Sequence, residues 1–488
     1  MLVVSCMCPA FQRVLFQISL VSSLSISCTG SNQPDLTSAL ALAFSDFVQP
    51  PTQSPSGPQK PWPKFLGVFG STTFATGAST DPDGNIVATG FTEGNLGGQP
   101  MLGKMDSYIT KYDEEGKKLW IRHLGGGPKD FSKGSTYGLA VKTDKDGNVL
   151  STGMTVVEKL DGQNKIGYQD AYLSKYDKDG NKKWTRMIGG GSNTDFHFGT
   201  SAGRGVTSDQ SGNIYVNGTT NADTFFGETN PGGHDGHFIV KYDPDGNRVW
   251  ARMARNTNPD NHESIAGDLT IDSNGEIYFV GAAQGGFDDQ SEIGTEDALL
   301  IKYDSDGNKL WVRLLGVPGQ ISVANDVGLD PDRNIYIVGI TSGELDGQTP
   351  IGTTDTFIVK YDKDGNKLWT RLIGNPDYSD FFRAETQGFG ITVDPNGNSY
   401  IAGTISAAKI LFSNSINSAF AAKFDTAGNL VWSNLKYMEE VTKCEVHAQD
   451  VVLGMNDSFF VVGYTSCLLS ILDPVNGINS LFISKESL

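Results

Sequence analysis

From Trp62 onward, apolar residues come in short runs closed by Gly, Asn, Asp or Pro, and no stretch sustains helical three-and-four spacing. One unit shows the pattern. Gly328-Leu329-Asp330-Pro331-Asp332-Arg333-Asn334 leads into Ile335-Tyr336-Ile337-Val338-Gly339. After a long loop, Asp355-Thr356-Phe357-Ile358-Val359-Lys360-Tyr361-Asp362 turns through Gly365-Asn366 into Lys367-Leu368-Trp369-Thr370-Arg371-Leu372. Each run predicts a strand, and the unit recurs about every sixty residues with four strands, the size of a propeller blade. The third strand is marked by Lys111, Lys175, Lys241, Lys302, Lys360, Lys423 and Lys485, and the fourth by Trp120, Trp184, Trp250, Trp311, Trp369 and Trp432. The last unit lacks its fourth strand. Trp62-Pro63-Lys64-Phe65-Leu66-Gly67 matches it in spacing at the other end of the chain. The expectation is an all-β, seven-bladed β-propeller over 61–488, with four antiparallel strands per blade. An N-terminal outer strand in the last blade closes the ring and removes the open sheet edges.

The units resemble the SBBP repeat, the bacterial seven-bladed β-propeller repeat, in their Asp-x-x-Gly-Asn, Tyr-Val-x-Gly-x-Thr and Lys-Tyr-Asp-x-x-Gly-Asn-x-x-Trp segments. Blade 3 carries them as Gly212-Asn213-Ile214-Tyr215-Val216-Asn217-Gly218-Thr219 and Lys241-Tyr242-Asp243-Pro244-Asp245-Gly246-Asn247-Arg248-Val249-Trp250. Blade 7 departs most, with Asn456-Asp457-Ser458 and Ser484-Lys485-Glu486. The resemblance implies a fold and an interaction role, and it brings no catalytic residues with it.

The N-terminus reads differently. Arg13 precedes the apolar run Val14-Leu15-Phe16-Gln17-Ile18-Ser19-Leu20-Val21, too short to span a bilayer and fit for an export signal over 1–27, with translation starting at Met1 or Met7. Leu24-Ser25-Ile26-Ser27-Cys28 resembles a bacterial lipobox, although Ser25 stands where Leu is usual. Lipidation is therefore expected at Cys28, with 28–60 as a Pro- and Ser-rich tether carrying one short helix over 35–47. The resulting location is the cell envelope, on the outer membrane through the lipid.

The net charge of −18 excludes nucleic acid as a partner, because a binder needs a basic face. More than a third of the 56 carboxylates belong to the short Asp-x-Asp-Gly-Asn turns, which gather on one face of a propeller. With Gly in fourth place and a strand following at once, they read as hairpin turns, not calcium loops. The repeated Trp, followed by Arg122, Arg186, Arg252, Arg313 and Arg371, reads as blade packing. His234 and His237 are the only clustered histidines, and no metal or cofactor site is assigned. No nucleophile elbow, phosphate loop or zinc helix is present. Cys444 and Cys467 flank the first hairpin of blade 7 and are expected to form a disulfide in an oxidising compartment.

The opposite face carries long loops over 92–105, 155–169, 220–235 and 282–296, together with the connections between blades. Four loops share a core, Leu96-Gly97-Gly98-Gln99, Leu160-Asp161-Gly162-Gln163, Phe287-Asp288-Asp289-Gln290 and Leu345-Asp346-Gly347-Gln348. Recognition is expected here, with Phe225, Phe226, Tyr378, Phe381 and Phe382 as exposed anchors. The function expected is a monomeric, non-catalytic scaffold or adhesin that binds protein or glycan. A polysaccharide hydrolase or lyase using carboxylates in the central funnel, and an assembly scaffold for an outer-membrane complex, are the alternatives.

Overall fold

The computed structural model describes residues 63–68, 70–191, 199–230, 235–254, 264–288, 290–375, 382–409, 415–433, 445–456, 458–466 and 479–487. Among these residues there are seven four-stranded antiparallel sheets, with a three-stranded and a two-stranded sheet in the loops. Blade 1 runs through Thr73–Thr80, Ile86–Thr92, Asp106–Tyr112 and Lys118–Leu124, inner strand to outer. Blade 7 has Val446–Leu453, Ser458–Thr465 and Ser480–Ser487, and takes Lys64–Leu66 as its outer strand, with Phe65 opposite Phe482. Trp62 lies outside the described residues. Each inner strand lies against that of the next blade, and Val446–Leu453 lies against Thr73–Thr80, so the sheets form a ring.

Face-to-face packing explains the apolar pattern. Every residue of Ile86–Thr92 and Asp106–Tyr112 is buried, because the two middle strands are covered on both sides by neighbouring blades. The outer strand Lys118–Leu124 begins exposed.

The Asp-x-x-Gly-Asn segments are tight turns, as expected. Asp81 accepts the backbone N–H groups of Asp83 (3.0 Å) and Asn85 (2.9 Å) and the Asn85 side-chain amide (2.9 Å), and Gly84 supplies φ +80°. The outer turns also join the blades. The Trp120 indole donates to the Lys178 carbonyl at 3.1 Å, and Arg122 Nε donates to the Gly180 carbonyl at 2.7 Å. A Cβ on Gly180 would sit 2.8 Å from the Trp120 ring. The arrangement repeats at Trp184 over Gly246 and at Trp369 over Gly428. Buried Lys111 adds a bond to the same Lys178 carbonyl (3.1 Å) and an ion pair with Asp81 (2.6 Å). At the ring junction, Lys485 of blade 7 reaches Glu114 of blade 1 at 2.8 Å.

Candidate functional site

The long-loop face is built on the first residue of the third strand. Asp106, Asp170, Asp297 and Asp355 are almost wholly inaccessible. Each carboxylate accepts two N–H groups from the loop just before it: Leu102 and Gly103, Ile166 and Gly167, Ile293 and Gly294, Ile351 and Gly352, all at 2.6–2.9 Å. Burial raises the pKa of Asp170, and the two N–H bonds oppose the rise. The bonds turn the same apolar residue outward in four blades, leaving Leu102 47%, Ile166 48%, Ile293 40% and Ile351 41% exposed. Phe131, Tyr168 and Ile321 add exposed apolar surface beside them.

The loops are stitched to the next blade. Tyr168 N–H donates to the Gly199 carbonyl (2.7 Å), Thr295 to Gln320 (2.8 Å) and Thr353 to Ala384 (3.1 Å). The shared Gln core covers a sheet edge. Gln290 donates its amide to the Val312 carbonyl (2.6 Å) and accepts the Leu314 N–H (3.2 Å), so a side chain occupies the unpaired edge of the outer strand. Gln163 and Gln348 do the same to Thr185 and Met187 and to Thr370 and Leu372. Leu160, Phe287 and Leu345 plug the base of each loop, fully buried.

The expected anchors are corrected in part. Phe225 is fully buried, because it occupies the plug position of blade 3 and packs on Phe238 at 4.7 Å. Phe226 is half-buried, with φ +52° where blades 2, 4 and 5 have Asp161, Asp288 and Asp346. Those aspartates pair with Lys182, Lys309 and Lys367, whereas Phe226 lies under the Arg248 guanidinium at 4.0 Å. Tyr378 and Phe381 lie outside the described residues, as do Cys28, Cys444 and Cys467, and Phe382 is described in its backbone alone. The last described pair of the blade 7 hairpin is Glu445 against Ser466. His237 is not on a loop. It is buried in the third strand of blade 3, edge-on to Phe279 at 5.1 Å, and burial lowers its pKa to about 4. The outward aliphatic residues were missed, although the apolar-Gly-x-x-Asp segment before four third strands was there to read.

A second polar region lies on the ring axis. The inner strands carry bulges, and Asp268, Asp326 and Asp450 sit at those of blades 4, 5 and 7. The three carboxylates and Lys142 of blade 2 act on one another electrostatically across non-adjacent blades, which places them around the axis. Asp326 accepts the N–H groups of Val327 (2.6 Å) and of Ile391 in blade 6 (2.8 Å). Asp450 accepts those of Val451 (2.7 Å) and of Ala78 in blade 1 (2.8 Å). Among the described residues, Asp268 accepts a single N–H, that of its neighbour Leu269 (2.7 Å). Burial raises all three pKa values, that of Asp326 further through repulsion by Asp268 and Asp450. Lys142 also lines a cavity of about 530 Å³ on the turn side, between the inner-strand ends of blades 1–4. Among the described residues no His, Cys, Asp and Glu group is arranged to hold a metal ion.

Residues 310–346 and 368–408 match the family model of the SBBP β-propeller repeat. An uncharacterized WD repeat-containing protein of Acanthamoeba polyphaga mimivirus is 24% identical over 434 residues, covering 70% of this chain and 30% of the viral protein. The regulatory protein FlaEY of Caulobacter vibrioides is 26% identical over 172 residues, covering 32% of this chain and 17% of its own length. The chain thus spans less than a third of either relative. Among solved structures, an α-L-arabinofuranosidase of Fusarium graminearum aligns with TM-score 0.41 and 11% identity, over 88% of this chain and 99% of its own. A gluconolactonase of Xanthomonas campestris aligns with TM-score 0.33 and 11% identity, over 87% and 90%.

Proposed function

We propose that this chain of SBBP-type β-propeller repeats is an exported scaffold, tethered to the cell envelope through a lipid on Cys28, whose long-loop face docks another protein. The observation that carries the reading is the outward aliphatic residue at one position of four blades, Leu102, Ile166, Ile293 and Ile351, fixed there by a buried aspartate. Isolated exposed apolar residues need no explanation. A repeated, backbone-pinned set on one face is the kind of surface that protein interfaces use. Aliphatic side chains favour a protein partner over a glycan, whose sugar rings stack on aromatic faces. On the opposite face the first Asp and the last Asn of each turn are committed to the turn itself.

The hydrolase or lyase reading draws on the axial carboxylates. Both oxygens of Asp326 and of Asp450 already accept backbone N–H groups, one of them across a blade junction, so these side chains serve the ring first. Asp268, which among the described residues accepts a single N–H on Oδ1, is the axial carboxylate that keeps an oxygen for such chemistry.

The test is affinity capture from envelope extract with the native protein and with a variant changing Leu102, Ile166, Ile293 and Ile351 to Ser. Retention of the same proteins by both would remove the proposal. Proteins held by the native chain and lost by the variant would support it.

A further inference from the structure

The turn-side mouth of the axis is built unequally from the seven blades. The inner strands of blades 1–3 end in Thr80, Thr143 and Ser208, and those of blades 4–7 in Ile271, Leu329, Val393 and Leu453. One residue earlier stand Ser79, Lys142, Thr207 and Thr270 in blades 1–4, against Gly328, Thr392 and Val452 in blades 5–7. The cavity of about 530 Å³ lies on the polar side, and its rim residues Gln210 and Ser273 are exposed, so it opens to solvent. Its size is that of a small-molecule site, about 300–1,000 Å³. Some of its polar groups are already used. Asp81, Asp144, Asp209 and Asp272 each accept an N–H of their own turn at 2.9 Å, and the Thr143 hydroxyl donates to the Thr80 carbonyl at 2.6 Å. Lys142 and the hydroxyls of Thr207, Ser208 and Thr270 have no hydrogen-bond or ion-pair partner among the described residues. Thr207 is buried as a residue, but its hydroxyl oxygen stays accessible, and the cavity is what it reaches. One ammonium donor and three hydroxyls able to donate or accept thus line a single open space.

The surroundings select an uncharged ligand. Four turn carboxylates border the cavity, and Asp268, Asp326 and Asp450 act on Lys142 from further along the axis, so an added anion meets a negative field. A cation meets Lys142 and carboxylates whose second oxygens are also taken up, by Asn85, Asn148, Asn213 and Tyr278. A polyhydroxylated ring suits what is left. Its oxygens can accept from Lys142 and exchange hydrogen bonds with Thr207, Ser208 and Thr270, while its C–H groups pack on Pro82 and Ile271.

We propose that the turn-side mouth of the axis, at Lys142, Thr207, Ser208 and Thr270, binds an uncharged sugar ring, either free or at the end of a glycan chain. The site is separate from the long-loop face and its protein partner, and either can fail without the other.

The test titrates the full chain with glucose and galactose, and with cellobiose and lactose, which end in those rings, by calorimetry and by amide chemical shifts. Cyclohexanol, a six-membered ring with one hydroxyl, is the reference. Saturable one-to-one binding is expected for at least one of the two sugars and not for the reference, with shifts gathered at 79–82, 142–145, 207–210 and 270–273. A disaccharide held more tightly than its monosaccharide assigns the end of a glycan, and equal or weaker holding assigns the free sugar. The matching uronate, glucuronate or galacturonate, should bind at least threefold more weakly than the sugar. Lys142→Met should weaken sugar binding at least fivefold, and Thr207→Val and Thr270→Val, which keep the shape and remove one hydroxyl, at least threefold each. Thr392→Val, at the same strand position in blade 6 and outside the cavity, should leave it within twofold. Equal binding of cyclohexanol, tighter binding of the uronate, or no loss in the Lys142 and Thr207 variants would overturn the proposal. So would shifts confined to the long loops, or an absence of sugar binding, which would leave the mouth to water alone.

Discussion

The two faces of the propeller use the same residue type to opposite ends. On the turn face, an aspartate folds a hairpin back on itself and its carboxylate is used within the turn, with Asp243 accepting from Asp245, Asn247 and the Asn247 amide. On the long-loop face, an aspartate buried at a strand start holds two loop N–H groups and so pushes an aliphatic side chain into solvent. One face spends its polarity on closure, while the other spends it on display. The difference shows that a carboxylate-rich surface says little about binding until its acceptors have been traced.

The sharpest break in this comparison is expected at Gly180. A methyl there meets the Trp120 ring at 2.8 Å and forces φ +80° on an L-residue, so Gly180→Ala should cost about 3 kcal/mol in denaturant unfolding. Gly98 on the long-loop face has the same φ and open space around it, and Gly98→Ala should cost about 1 kcal/mol. Equal costs would mean that the outer turns do not clasp the neighbouring blade. Asp355→Ala comes next. It strands the N–H groups of Ile351 and Gly352 and should cost about 2 kcal/mol, with faster amide exchange confined to the 348–354 loop. Exchange rising across the whole blade would argue against a local pin.

Acidity should separate carboxylates of the turns from those of the axis. The Asn247 and Asn429 side chains and nearby backbone N–H groups hold Asp243 and Asp425 below the usual range, so their contribution is present above pH 4 and is lost as pH falls further. Burial holds Asp268 and Asp450 up, to about 6 and about 7, so the folded state keeps protons that the unfolded chain releases. Their contribution is fully present below pH 4 and falls away as pH rises to about 7. Melting temperature should therefore decline between pH 5 and pH 7, and Asp268→Asn should flatten that decline. A rise over this interval would contradict the axial assignment. The smallest effect is expected from the aliphatic residues themselves: Leu102→Ser, Ile166→Ser, Ile293→Ser or Ile351→Ser should change stability by no more than about 0.5 kcal/mol, since display residues do not hold the fold.

The blades were legible because a sixty-residue period repeats both the turn chemistry and the strand content, and the N-terminal outer strand could be placed by the Trp spacing alone. The site was legible only in outline. Phe225 looked like an anchor because a loop aromatic gives no sign, in one blade, that it is the plug. Set beside Leu160, Phe287 and Leu345, it reads as buried. A lone Ile166 in a loop gives no sign of exposure in one blade, but the following Gly and the later Asp, repeated in four blades, mark a pinned turn. The axial carboxylates escaped because a bulge breaks the alternation that assigns strand faces, although Ala266-Gly267-Asp268, Ala324-Asn325-Asp326 and Ala448-Gln449-Asp450 share a pattern.

The central claim is that recognition belongs to the long-loop face, and amide hydrogen exchange of the protein with and without its captured partner tests it most directly. Protection is expected over 99–105, 163–169, 290–296 and 348–354, with the turns at 81–85, 177–181, 243–247 and 362–366 unchanged. Protection confined to those turns, with the long loops exchanging as in the free protein, would contradict it.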